Sequence, residues 1–441
     1  MRRSLVALSG VLLLGLSACT AGATGAPVLT VLASWEGAEE QAFRAVLDEF
    51  ETESGIEVDY RGTRSVSQVL RSDVQKGRPP DIAVLPNPGE LARYVDSGDL
   101  RPLGTEVLGE RPGPQWQPLQ RLGTEADYAV VVKADLKSLI WYRRGSLPGA
   151  PPRTWAELAA LSGDLSARGQ APWCLGMESQ STSGWPGTDW IEDILLRRSG
   201  PQVYQRWAAG ELPWTSPEVR RAWEDWGQLV ARPGAVRGGT HGALLLGFGD
   251  AAKPMFTTPP GCVLDHFASS RISGYQGYEL PGRPKPGIAE FDFFPFPVVD
   301  GAAEPSAEPA GVSADLAGMF ADTPEARELM RYLASERGQA VWPSREAGGT
   351  FSINPNLLDQ GVYRDPLSER VARRLTSGPW CFDASDMMPA TMSDAFHRAV
   401  LDYLGDPGDL ERLLEVLERV RAGIPADERL NLPCGREENG K

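Results

Sequence analysis

The chain has 441 residues and a formal net charge of −15. That length is too great for one compact core, so two or three domains are expected. The acidic balance excludes a binder of phosphate backbones, which needs clustered Lys and Arg, and says otherwise that the body is soluble.

In chain order, Arg2 and Arg3 precede the apolar run Leu5 to Leu16, and Leu16-Ser17-Ala18-Cys19 follows. A basic start, a short apolar core and small residues before a cleavage point predict a secretory signal over residues 1–18. The run is shorter than the roughly 20 residues needed to span a bilayer. The Leu-Ser-Ala-Cys pattern predicts that Cys19 is lipidated and becomes the mature terminus, anchored by its acyl chains. Residues 19–27 are small and polar and are expected to form a tether. The four remaining cysteines, Cys174, Cys262, Cys381 and Cys434, form an even set suited to an oxidising compartment, with three possible pairings. None of the three histidines (His241, His266 and His397) stands at ligand spacing to a cysteine, so no metal site and no cofactor are expected.

Val28 to Ala33 predicts a buried strand, and Gly37 to Ser54 a helix closed by Gly55. Ile56 to Tyr60 alternates as a strand, Ser67 to Lys76 reads as a helix, Asp81 to Leu85 as a strand and Gly89 to Val95 as a helix. This β-α-β-α-β-α order predicts a mainly parallel sheet covered on both faces, with ligands beyond the strand ends. Those ends are Ser34-Trp35-Glu36, Arg61 to Arg64 and Pro86-Asn87-Pro88. Further strands are expected at Tyr128 to Lys133, Leu136 to Tyr142, Ala171 to Gly176 and Phe291 to Val299. Thr154 and Glu157 form a predicted capping box opening a helix to Ala167. Helices are also expected at Asp189 to Arg198, Pro217 to Ala231, Pro324 to Ser335 and Leu410 to Ala422, and an exposed loop at Gly301 to Pro309.

Several blocks in this order resemble the bacterial extracellular solute-binding proteins of carbohydrate importers. They are Val28 to Phe43, Arg78-Pro-Pro-Asp-Ile-Ala-Val-Leu85, Lys133-Ala-Asp-Leu-Lys-Ser-Leu-Ile-Trp-Tyr142, Pro152-Arg-Thr-Trp-Ala-Glu-Leu158, Gly249 to Phe256 and Pro324 to Leu333. Pro172 to Glu178, Gly184 to Asp193 and Phe382 to Pro389 are closer to the alpha-glucoside-binding branch. The chain departs from the maltose-type proteins where an aromatic of their sugar platform would fall near His397. The resemblance implies an α/β, two-lobed periplasmic-binding-protein fold, each lobe a mainly parallel sheet flanked by helices, joined by hinge crossings. It implies lobe 1 at 28–135 plus 288–340 and lobe 2 at 136–287 plus 341–441. Cys174 and Cys262 fall in the expected second lobe and Cys381 and Cys434 both lie near the C-terminus, so the disulfides are expected as Cys174–Cys262 and Cys381–Cys434.

The resemblance further implies a monomer, tethered by lipid outside the cell membrane, that hands a sugar to the permease of an ABC importer, with no nucleic-acid partner. Sugar sites need aromatic faces and polar groups that pair with hydroxyls. Candidates at the strand ends are Trp35, Glu36, Glu39, Arg64 and Asn87, with Asp135 on the crossing segment. Glu36 and Glu39 equally suit a helix N-terminus, and Asn87 a turn. In the second half they are Trp185, Asp189 and Trp190, on a loop bearing Gly184 and Gly187, and Asp383 and Asp386 beside Trp380. Asp189 with Glu192 equally fits a capping box. No P-loop and no G-x-S-x-G motif is present. A binder of a non-sugar solute is one alternative. A glycoside hydrolase is another, needing only two carboxylates roughly 5 to 10 Å apart.

Overall fold

The computed structural model describes residues 28–108, 114–298, 309–345 and 349–435. The signal, the tether, Cys19 and all but Pro309 of the Gly301 to Pro309 loop lie outside the described residues. Nine strands form two sheets: β1 (Val28–Ala33), β2 (Glu57–Gly62), β3 (Ile82–Leu85), β4 (Ala129–Leu136), β5 (Leu139–Arg143), β6 (Leu264–His266), β7 (Phe291–Pro295), β8 (Ala310–Met319) and β9 (Trp380–Phe382).

The larger sheet runs β2-β1-β3-β8-β4, with β9 beside the start of β8. β1 is parallel to β2 and β3, as the alternation of strand and helix in the sequence predicts. All four residues of β3 are buried, the pattern of a strand covered on both faces. The helix Ala38–Ser54 buries Phe43, Val46, Leu47 and Phe50, one stripe at helical spacing. Gly55, at φ 71°, ends it by donating its N–H to the Glu51 carbonyl. This helix and Pro324–Ala334 cover one face of the sheet. The sheet is mixed because β8 is antiparallel to both β3 and β4.

The smaller sheet, β6-β5-β7, is antiparallel throughout rather than parallel. β5 lies three residues beyond β4, so the chain passes from one sheet to the other through Lys137 and Ser138. It returns between β7 and β8. The expected boundary at residue 288 therefore falls too early, because β7 is hydrogen-bonded along β5. Ala171 to Gly176, expected as a strand, makes only bridges, from Trp173 to Val236 and Leu264. The Thr154–Glu157 capping box forms, with Glu157 N–H donating to Thr154 Oγ1 at 3.2 Å. Cys174 is bonded to Cys262 and Cys381 to Cys434. Among the described residues no helix is long and apolar enough to cross a membrane.

Candidate functional site

A cavity of about 230 Å³ opens beyond the carboxyl ends of β1, β2 and β3, between the larger sheet and the helices around the smaller one. Its floor is β4 and the turn after it. Lys133, Asp135 and Lys137 stand at period two on one face of this extended segment, and all three line the cavity.

Lys133 is buried among carboxylates: Glu39 Oε1 at 3.0 Å, Asp315 Oδ2 at 3.5 Å and Asp135 Oδ2 at 3.8 Å. Burial works against the charge of Glu39, but Lys133 and Arg64, the latter 2.6 Å away, overcome it and hold its carboxyl at about 2. Asp315 is pushed the other way, to about 6, by burial that Lys133 only partly offsets. Asp135 also accepts hydrogen bonds from Ser269 Oγ at 2.9 Å and the Ser270 N–H at 2.8 Å, tying β4 to the turn after β6.

Lys137 forms the second cluster. Its ammonium donates to Asp189 Oδ1 at 2.9 Å and to Asp383 Oδ2. Asp189 is pushed up to about 7 by burial and the neighbouring Asp383, against the pull of Lys137. Burial and Asp383 raise Asp386 well above the carboxylate range. Asn87 Nδ2 donates to Asp386 Oδ1 at 2.9 Å. Oxygens of Asp189, Glu192 and Asp383 approach within 4.8 Å of one another, and the ammonium of Lys137 supplies positive charge beside two of them. His397, on the cavity wall, is held neutral, its imidazole lowered to about 4 chiefly by burial.

The apolar wall is aromatic. Phe248 and Phe267 stack with planes 6° apart, and Trp185 meets both edge-on at centroid distances of 5.1 and 5.2 Å. The Lys137 ammonium sits 5.6 Å from the centre of the Trp185 ring.

Of the candidates from the sequence, Trp35, Glu39, Arg64, Asn87, Asp135, Trp185, Asp189 and Asp386 line this one cavity. Trp35 is also core: it is 1% exposed and packs on Phe43 and Trp342. Glu36 and Trp190 do not line the cavity. Trp190 is 1% exposed, edge-on to Trp173 and Phe296 and tilted against His266. Asp383 stands behind Lys137 and caps the short helix Ala384–Met387. The Trp185 to Trp190 stretch is a helical start, not a loop: the helix Trp185–Ser199 follows Gly184 at φ 108°. Asp189 is therefore inside the helix and caps nothing. Its presumed box partner Glu192 instead accepts from the N–H groups of Ala384 and Ser385, at 2.8 and 3.2 Å. The sequence reading missed Lys133, Lys137, Asp315, Phe248 and Phe267. The period-two Lys-x-Asp-x-Lys pattern was the available signal for the lysines.

Two α/β units with a polar, aromatic-walled cavity between them are the architecture of a two-lobed solute-binding protein. Solved structures share it: a protein from work on xylan utilisation by Caldanaerobius polysaccharolyticus has a TM-score of 0.75 at 15% identity, covering 89% of this chain and 99% of its own. The solute receptor AcbH, described as preferring β-D-galactopyranose, has a TM-score of 0.73 at 16% identity, covering 90% and 98%. The chain belongs to the bacterial extracellular solute-binding proteins, whose family model matches residues 34–340. It is 34% identical to the osmoprotective compounds-binding protein GgtB of Synechocystis over 89% of this chain and 91% of that protein. It is 32% identical to the alpha-glucosides-binding periplasmic protein AglE of Rhizobium meliloti, over 86% and 83%. The family and these relatives are binding proteins, and the chain is a binding protein, not an enzyme.

Proposed function

We propose that this protein captures a sugar of the alpha-glucoside class between its lobes and delivers it to the permease of an ABC importer. The observation that carries the reading is the cavity wall: the aromatic faces of Trp185, Phe248 and Phe267 line the same cavity as paired carboxylates and ammonium groups. A pyranose presents C–H faces to the first and hydroxyls, each both donor and acceptor, to the second. The name of AglE supports the glucoside class, and that of GgtB extends it to osmoprotective compounds.

Thermal-shift titration with maltose, trehalose, sucrose and methyl α-D-glucopyranoside tests it. A ligand at a hundred times its dissociation constant stabilises by about 2.7 kcal/mol. Trp185→Ala is expected to weaken binding of the best ligand by about 1 to 3 kcal/mol while leaving the fold intact. Wild-type affinity in that variant would remove Trp185 from the site.

The chain acts from the outer face of the cell membrane in this reading, as a monomer held by lipid on Cys19. The basic start and the Leu16-Ser17-Ala18-Cys19 sequence support the anchor. Cys19→Ala should leave the protein unprocessed or release it from the membrane fraction. A mature-sized variant that still sediments with membranes contradicts the anchor.

A further inference from the structure

Among the described residues, four cationic side chains line the cavity: Arg64, Arg71, Lys133 and Lys137. Each already faces a carboxylate. Arg64 lies 2.6 Å from Glu39 and Arg71 3.6 Å from Glu90. Lys133 is shared by Glu39, Asp135 and Asp315, and Lys137 by Asp189 and Asp383. An incoming carboxylate or phosphate would have to compete with a carboxylate already paired to each of these cations. Asp386 Oδ1 accepts from the Asn87 amide. Burial, with Asp383 beside them, raises both Asp189 and Asp386, so the cavity already opposes the ionisation of its own carboxyl groups. Bringing a further anion into this low-dielectric space is strongly opposed. A hydroxyl meets no such opposition, because it donates to the carboxylates and accepts from the ammonium groups.

We propose that the cavity is a charge filter, which admits uncharged hydroxylated solutes and rejects their anionic counterparts, with Asp189 setting the discrimination. The proposal rests on the glucoside reading above and narrows it. The test uses three nearly isosteric probes: methyl α-D-glucopyranoside, the corresponding uronate and the neutral uronamide. Calorimetric titration of the full mature protein at pH 7.5 and low salt should show the first and third binding. The uronate should be weaker than the uronamide by at least about a hundredfold.

The variant Asp189→Asn keeps the shape and removes the charge beside Lys137. It should shrink the uronamide-to-uronate ratio by about tenfold. A merely structural defect would weaken both ligands alike and leave the ratio unchanged. A uronate that binds within about tenfold of the uronamide, or a ratio unmoved in the variant, overturns the filter while leaving the glucoside reading intact. Silence from all three probes sinks the glucoside reading, and the filter goes with it.

Discussion

Replacing Lys137 by Met should destabilise the protein by about 3 to 5 kcal/mol, the usual cost of stripping one partner from a buried ionic cluster. Met matches the length and apolar stem of lysine, so the packing change is small. What is lost is the lysine bonded to Asp189 and Asp383, whose side chains are 5% and 1% exposed. Asp386 and Glu192 lose the same attraction. The loss should depend on pH in a known direction. Without the cation, the folded-state pKa values of Asp189, Glu192 and Asp386 rise further above their unfolded values, and Asp383 loses the attraction that holds it low. Groups raised this way contribute stability that is complete below the unfolded pKa, about 3.9 for Asp, and lost as pH rises through the folded value. The deficit of the variant should therefore be smallest near pH 5 and grow towards pH 8. Wild-type Asp189, already raised to about 7, makes the same slope in miniature. His397, lowered to about 4, acts oppositely, because its unfolded form takes up a proton as pH falls below about 6.5. Urea denaturation at pH 5, 6.5 and 8 checks the prediction. A deficit equal at all three values would mean that packing, not charge, accounts for the loss.

The first half of the larger sheet was legible in the sequence because its signals are short-range. Val28–Ala33, Ala38–Ser54 and Glu57–Gly62 carry their own periodicity, and Gly55 marks its helix end. The Thr154–Glu157 box is equally local and forms as written. Asp189 and Glu192 carry the same spacing, yet each is drawn to a partner distant in the chain, Lys137 and the Ala384 N–H. A local pattern lost there to tertiary pairing. The mixed character of the sheet was hidden for a related reason. Nothing near Ala310–Met319 announces that it inserts antiparallel between β3 and β4. Phe248 and Phe267 lie in unrelated segments and become one wall only after β6 and the Trp185–Ser199 helix meet. Trp35 and Trp190 look alike as strand-end and glycine-flanked aromatics, but only Trp35 reaches the cavity. Lys137 was the costliest omission, since it holds the second cluster together.

The bridge between Cys174 and Cys262 closes a sequence separation of 88 residues. By the chain-entropy relation, removing it with Cys174→Ser and Cys262→Ser should cost about 4.5 kcal/mol, with native-state relaxation lowering the figure in practice. The local structure argues for a large share of that value. The Pro172 to Gly176 segment has no regular strand pairing, and it meets β6 through the bridge, the Cys174 N–H donated to the Leu264 carbonyl at 2.8 Å and the Leu264 N–H donated to the Pro172 carbonyl at 2.8 Å. That segment also carries Trp173, which packs against Trp190 in the core of the smaller unit. The Cys381–Cys434 bridge closes a separation of 53 residues, so the same relation gives a value only slightly lower, about 4 kcal/mol. The two differ in access. Cys174 and Cys262 are 3% and 0% exposed, whereas Cys434 is half-buried near the end of the described chain. Thiol–disulfide exchange needs an accessible sulfur, so mild reductant acting on folded protein should open Cys381–Cys434 first. Alkylation at timed intervals followed by peptide mapping reads the order, and denaturant midpoints of the two double-serine variants read the energies. Prior opening of Cys174–Cys262, or a loss below about 1 kcal/mol in its variant, would show that the segment is held by its packing and not by the bridge.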